Sequence, residues 1–242
     1  MEREWILVVD SGIGGLWTLQ KIKDVLPNEN YIYFMDKLHA PYGNKPVFRL
    51  KQIASKNIKK LLKKFNIKIV VLACNTLSST CFEFLQKKFC NVKFIKIEPF
   101  FEPSVFEEKN TLILATKNTV RKNKNLKKYA GYKNIFLHGF GRLAKQIDDA
   151  KGQYDKLVLY LKKSLSIYKK QNIKNIVLGC THFNYIKPQL ALIFGKVEFF
   201  ENSENIAKNV KKMAKLLKNR QKTGNFSKKK PKIQKTLVLY KI

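Results

Sequence analysis

Short apolar runs alternate along this chain with longer stretches whose apolar positions recur every three or four residues. That is the pattern of strands alternating with amphipathic helices. Residues 5–9 (WILVV) read as a buried strand leading into Asp10-Ser-Gly-Ile-Gly-Gly15. Leu16, Leu19, Ile22 and Val25 then mark one face of a helix that Pro27-Asn28 stops. A strand at 31–34, a loop from Asp36 to Asn44, a helix at 47–65, a strand at 67–73, a helix at 77–89 and a strand at 92–97 follow. The scheme then starts again with a strand at 111–115, a helix running to about Tyr129, a short strand at 135–137 and a helical stretch at 143–149. One long helix is predicted over 154–171, then strands at 176–179 and 197–200 and a basic helix at 203–219. The polar, lysine-rich segment 220–235 is expected to be mobile. The apolar run 236–240 is expected to return and pair with a sheet. Strand alternating with helix predicts right-handed parallel βαβ units, with functional residues at the carboxyl ends of strands.

Within this rhythm one phrase occurs twice. Residues 63–76 read KKFNIKIVVLACNT and residues 169–182 read KKQNIKNIVLGCTH, so Cys74 aligns with Cys180 without a gap. Their separation exceeds the roughly 20–50 residues of a solenoid repeat and suits two similar half-domains facing each other. A thiol at the same strand end of each half would set two sulfurs on opposite sides of one cleft. Such a cleft suits a reaction in which a proton leaves one face of a carbon and arrives on the other. A lone cysteine is more often a buried space-filler; two at matched points of a repeat, followed by Asn75-Thr76 and Thr181-His182, point to acid–base chemistry. Helix starts and nearby donors are expected to lower the thiol pKa and supply a thiolate opposite a thiol. Cys81 and Cys90 read as structural.

Asp10-Ser11 closes the first strand as a helix N-cap or as a holder of a substrate ammonium. The following Gly-Ile-Gly-Gly lacks the lysine of a P-loop and the spacing of a dinucleotide fingerprint, so nucleotide binding is weakly supported. His182 is either a helix-start residue or tunes the neighbouring thiol. With 45% hydrophobic and 12% aromatic residues in 242 positions, the chain can form one large α/β domain or two small ones. No apolar run is long enough to span a bilayer and no signal peptide is expected. Four cysteines without metal-ligand spacing suggest reduced thiols in the cytoplasm and no zinc site. The net charge of +32 raises nucleic acid as a partner. The lysines are spread along helix faces such as Lys56, Lys59, Lys60, Lys63 and Lys64, which reads as a solvated surface; any polyanion binding is expected to be weak and non-specific, strongest around residues 208–235.

Six motifs together resemble glutamate racemase: Asp10-Ser-Gly-Ile-Gly-Gly15, Phe34-Met-Asp36, Pro41-Tyr-Gly-Asn44, Ala73-Cys-Asn-Thr76, Leu114-Ala-Thr-Lys-Asn-Thr119 and Gly179-Cys-Thr-His182. They follow the family's order over nearly the whole chain. The resemblance implies cofactor-independent interconversion of L- and D-glutamate, supplying D-glutamate for peptidoglycan. It implies that Cys74 deprotonates the D-isomer and Cys180 the L-isomer, with Asp10, His182 and Asp148 assisting. Asp10, Ser11, Pro41, Tyr42, Gly43, Asn75, Thr76, Thr116, Thr119, Thr181 and His182 match substrate-binding positions; no metal is implied. The chain departs from the family in Lys37-Leu-His-Ala40 after Asp36, in Asn118 where a glycine is common, and in Asp148 where a glutamate is usual.

The expected architecture is two similar, mainly parallel α/β domains related by a pseudo-twofold, 1–97 plus 203–242 and 98–202, with the active site between them. A homodimer is left open. So are two other functions: racemisation of aspartate or another amino acid, and a basic polyanion-binding protein on a racemase scaffold.

Overall fold

A computed structural model describes residues 3–100, 102, 106, 108–129, 131–222 and 235–240. The first half holds β1 (Glu4–Asp10), α1 (Gly15–Val25), β2 (Tyr31–Met35), α2 (Val47–Lys64), β3 (Asn66–Leu72), α3 (Asn75–Lys88) and β4 (Lys93–Lys96). The second holds β5 (Thr111–Thr116), α4 (Lys117–Lys122), α5 (Lys124–Tyr129), β6 (Ile135–Phe140), α6 (Leu143–Ala150), α7 (Val158–Ser164), β7 (Asn175–Gly179), α8 (Lys187–Phe194) and β8 (Glu198–Phe200). The chain finishes with α9 (Ser203–Lys222) and β9 (Thr236–Tyr240).

Every strand pairing is parallel. The first sheet runs β4-β3-β1-β2-β9 and the second β6-β5-β7-β8. Read from the other edge, the second is β8-β7-β5-β6, the order β4-β3-β1-β2 over again. The strand before Cys180 therefore holds the same place in its sheet as the strand before Cys74, which is what the repeated phrase predicts. β9 adds to the far edge beside β2, so the terminal apolar run does return to a sheet.

Helices cover both faces of the first sheet, which is why β1 is apolar at successive positions and not only at alternate ones. Trp5, Leu7 and Val9 enter one core with Leu50, Ile58 and Leu77, while Ile6 and Val8 enter the other with Ile22, Ile206 and Val210. α9 thus packs on the first sheet although it follows the second in the chain. In the second half, Leu112, Leu114, Ile147, Leu161, Leu178 and Phe183 form one core, and Phe106, Ile113, Leu126 and Val177 a smaller one. Lys56, Lys59, Lys60, Lys63 and Lys64 lie on the exposed face of α2. Among the described residues no helix is long and apolar enough to cross a membrane.

Two expected helices are broken. Residues 154–171 form a 3-10 turn, α7 and a second 3-10 turn at Ser166–Gln171. Ser166 Oγ donates to the Lys163 carbonyl (2.9 Å) and Tyr168 N–H to that of Leu165 (3.0 Å), tightening the backbone to an i→i+3 pattern. Leu161, Leu165 and Tyr168 stay on one buried face, so the apolar spacing did not reveal the change. The helix expected to reach Tyr129 is interrupted at buried Asn123. Its Oδ1 accepts from Leu126 N–H (3.0 Å) and caps a new helix. The segment expected to be mobile, 220–235, lies mostly outside the described residues.

Candidate active site

The carboxyl ends of β1 and β3 meet those of β5 and β7, and the sequence-selected side chains gather along that seam. Cys74 leaves β3 in an extended conformation and caps α3; Cys180 leaves β7 and caps a 3-10 turn over Thr181–Ile186. Both are free thiols and buried. Burial pushes the Cys74 thiol well above its ordinary pKa, and the charges of Asp10 and Cys180 add to it. The Leu77 N–H and the Ser11 hydroxyl, 3.9 Å from the sulfur, pull the other way and do not prevail. The expectation of a lowered pKa therefore fails at Cys74: in a dry site, desolvation outweighs a helix start. Cys74 rests as a thiol.

One side of the seam joins β1 to the turn after Cys180. Asp10, fully buried, accepts from Ser11 N–H (2.6 Å) and from the Thr181 hydroxyl across the seam (3.0 Å). Burial raises its pKa, against the pull of His182 and these donors. Gly14 lies so close to Thr181 that a Cβ would sit 2.6 Å from His182 N, and a Cβ on Gly12 would collide with His182 and Asp148. These glycines serve close approach of the two halves. His182 stands between Cys180 and Asp148, with Nδ1 3.8 Å from the sulfur and Nε2 3.2 Å from Asp148 Oδ2. The shorter aspartate therefore reaches the imidazole.

The other side joins α3 and the loop after β2 to the start of α4. The hydroxyls of Thr76, Thr116 and Thr119 form a buried cluster, with Thr76 to Thr116 at 2.8 Å and Thr116 to Thr119 at 3.0 Å. Pro41 follows a cis peptide bond and is partly buried, while Tyr42 and Gly43 are buried. A Cβ on Gly43 would lie 2.9 Å from Thr116 Cβ, so this loop rests directly on the second half. Asn75 is buried and its Oδ1 has no hydrogen-bond partner. Among the described residues no cluster of His, Cys, Asp or Glu could hold a metal ion.

Three residues at the seam carry no site role in the sequence reading. Asp36, fully buried, accepts from Tyr42 OH (2.7 Å), Asn57 Nδ2 (2.8 Å) and His39 Nδ1 (2.8 Å), and so anchors the loop carrying Tyr42. Asn57 was detectable as a polar residue in the apolar stripe Leu50, Ala54, Ile58, Leu61 of α2. Tyr33 is a third, donating to the Gly12 carbonyl (2.7 Å). Asp36→Ala takes the acceptor from three donors at once. Urea unfolding is expected to show a loss of about 3 kcal/mol; a loss within experimental scatter of zero would mean that water or other groups replace the carboxylate.

No family model matches the chain. It is 35% identical over 210 residues to the glutamate racemase of Clostridium acetobutylicum, covering 85% of this chain and 82% of that one. It is 36% identical over 217 residues to the glutamate racemase of Clostridium novyi, covering 87% and 83%. The crystal structure of glutamate racemase from Francisella tularensis in complex with D-glutamate superposes with a TM-score of 0.76 at 26% identity, over 98% of this chain and 89% of that one. Likeness of this extent, in sequence and in the two-sheet fold alike, makes the chain a member of the glutamate racemase family, isomerases that act on an amino acid.

Proposed function

We propose that the chain interconverts L- and D-glutamate by two-base proton transfer across the seam, without pyridoxal phosphate, and supplies D-glutamate for peptidoglycan in the cytoplasm. What carries this reading is the pair of buried thiols at matched strand ends of two facing halves. The Cys180 thiolate takes the Cα proton of L-glutamate and the Cys74 thiol delivers its own proton to the opposite face of the carbanion. D-glutamate leaves with Cys74 as thiolate and Cys180 as thiol, the state that runs the reverse reaction. A high Cys74 pKa fits a group that begins the L-to-D direction as the proton donor.

Substrate recognition follows from the remaining groups. The Asp10 carboxylate and the unpartnered Asn75 Oδ1 suit an ammonium. The hydroxyls of Ser11, Thr76, Thr116, Thr119 and Thr181, the Pro41–Gly43 loop and the N–H groups behind both cysteines suit two carboxylates. These dipoles are also what stabilises charge developing on the carbanion. The domains follow as 1–97 with 203–242 and 98–202.

The test is to incubate dialysed protein, free of pyridoxal absorbance, with L-glutamate and follow the loss of optical rotation. Rotation is expected to decay to zero without any addition. A requirement for pyridoxal phosphate would move the chemistry to a lysine Schiff base, and faster racemisation of aspartate would change the substrate.

A further inference from the structure

The loop bearing Tyr42 and Gly43 is gripped from two directions, and the two grips differ in kind. From its own half, buried Asp36 holds the Tyr42 hydroxyl through a charge-assisted bond at 2.7 Å. From the opposite half, Asn118 at the second position of α4 takes three of the loop's carbonyls. Its side-chain Nδ2 donates to the Tyr42 carbonyl (3.1 Å) and to that of Lys45 (2.8 Å). Its backbone N–H, unused within the helix at that position, donates to the Gly43 carbonyl (2.9 Å). The same turn is closed internally by Lys45 N–H to the Tyr42 carbonyl (3.2 Å). Asn118 is buried and its neighbours Thr116 and Thr119 belong to the hydroxyl cluster, so the clasp binds the turn to the element that carries those hydroxyls.

We infer that Asn118 is a positioning residue for glutamate: by clamping the 42–45 turn onto the second half, it sets the fraction of protein whose substrate loop is seated before substrate arrives. The inference rests on the proposed glutamate site. The neutral amide bonds to carbonyls are weaker than the buried carboxylate–phenol bond, so loosening of the turn begins at the Asn118 contact while Asp36 keeps Tyr42 on its own half. Substrate affinity scales with the seated fraction, so loosening the clasp raises KM. Once glutamate is bound its own contacts hold the loop, and kcat changes little. In this chain the amide supplies both side-chain donors. Glycine or alanine keeps only the backbone bond, and aspartate turns an acceptor toward two carbonyls.

Asn118→Ala and Asn118→Asp test this in the full-length protein. With two hydrogen bonds lost, KM for both enantiomers is expected to rise about tenfold in the alanine variant and further in the aspartate variant, with kcat within about twofold of wild type. Aspartate conserves volume but sets a buried carboxylate against two carbonyls, so its melting temperature is expected to fall while circular dichroism stays native; a role in packing alone would leave its KM unchanged. Without substrate, hydrogen exchange at the Lys45 amide should quicken about tenfold in both variants. Unchanged KM in both variants overturns the inference, whether or not exchange quickens, and unchanged exchange overturns it as well. A wild-type protein that racemises no glutamate removes the underlying site instead, an outcome distinct from an active enzyme indifferent to Asn118.

Discussion

Replacing either Cys74 or Cys180 by alanine is expected to lower kcat/KM for glutamate by at least about a thousandfold, the scale of a lost general acid or base. Both directions suffer, because each thiol is the base in one direction and the acid in the other. The two enantiomers have equal free energy, so kcat/KM must fall equally for L- and D-glutamate. The hand of each thiol is visible only in a half-reaction. In deuterium oxide the Cys180→Ala protein should still exchange the Cα proton of D-glutamate, through Cys74, while leaving L-glutamate untouched. Cys74→Ala should show the reverse. Either variant retaining racemisation within tenfold of wild type would sink the two-base mechanism, and exchange of the same enantiomer by both would reverse or merge the assigned roles. Both thiols fill small buried volumes, so circular dichroism should show native folding in each variant and tie the loss to chemistry.

The repeated phrase made the central geometry readable because it encodes a strand, its position in a sheet and the residue at its end together. β3 and β7 occupy corresponding places and end on Cys74 and Cys180. What stayed hidden are the groups that act through backbone carbonyls or through tertiary approach. Asn118 looked like a departure from a glycine, and nothing local says that its amide would reach the Tyr42 and Lys45 carbonyls in the other half. Asp36 ends an apolar strand as many surface residues do, and only the packed structure shows it fully buried beneath Tyr42. The raised pKa of Cys74 is hidden from the sequence for a related reason. A sequence displays the helix start that lowers it but not the depth of burial that raises it. The 3-10 turns flanking α7 escaped because spacings of three and of four residues keep the same side chains buried.

Asp148→Asn is expected to shift the pH behaviour of both stability and turnover. Burial pulls the His182 pKa down. The hydrogen bonds to Asp148 and Cys180 and the nearby negative charges outweigh it, holding the imidazole well above its ordinary 6.5. A group raised on folding contributes stability that is fully present below its unfolded pKa and lost as pH rises through the folded value. Wild-type unfolding free energy should therefore decline with pH from about 6.5 upward. Asp10, also raised, acts in the same sense from an earlier window that starts near 3.8. In Asp148→Asn the carboxylate that holds the proton on His182 is gone, so the decline attributable to His182 contracts toward pH 6.5 and its amplitude shrinks. Turnover should follow. An imidazolium 3.8 Å from the Cys180 sulfur stabilises negative charge there, so weakening that positive charge slows the direction in which Cys180 is the base. The kcat for L-glutamate should fall more than that for D-glutamate, with KM compensating so that kcat/KM stays matched. Urea unfolding across pH and separate kcat measurements on the two enantiomers check both parts. Wild-type stability and turnover profiles in the asparagine variant would show that His182 holds its charge without Asp148.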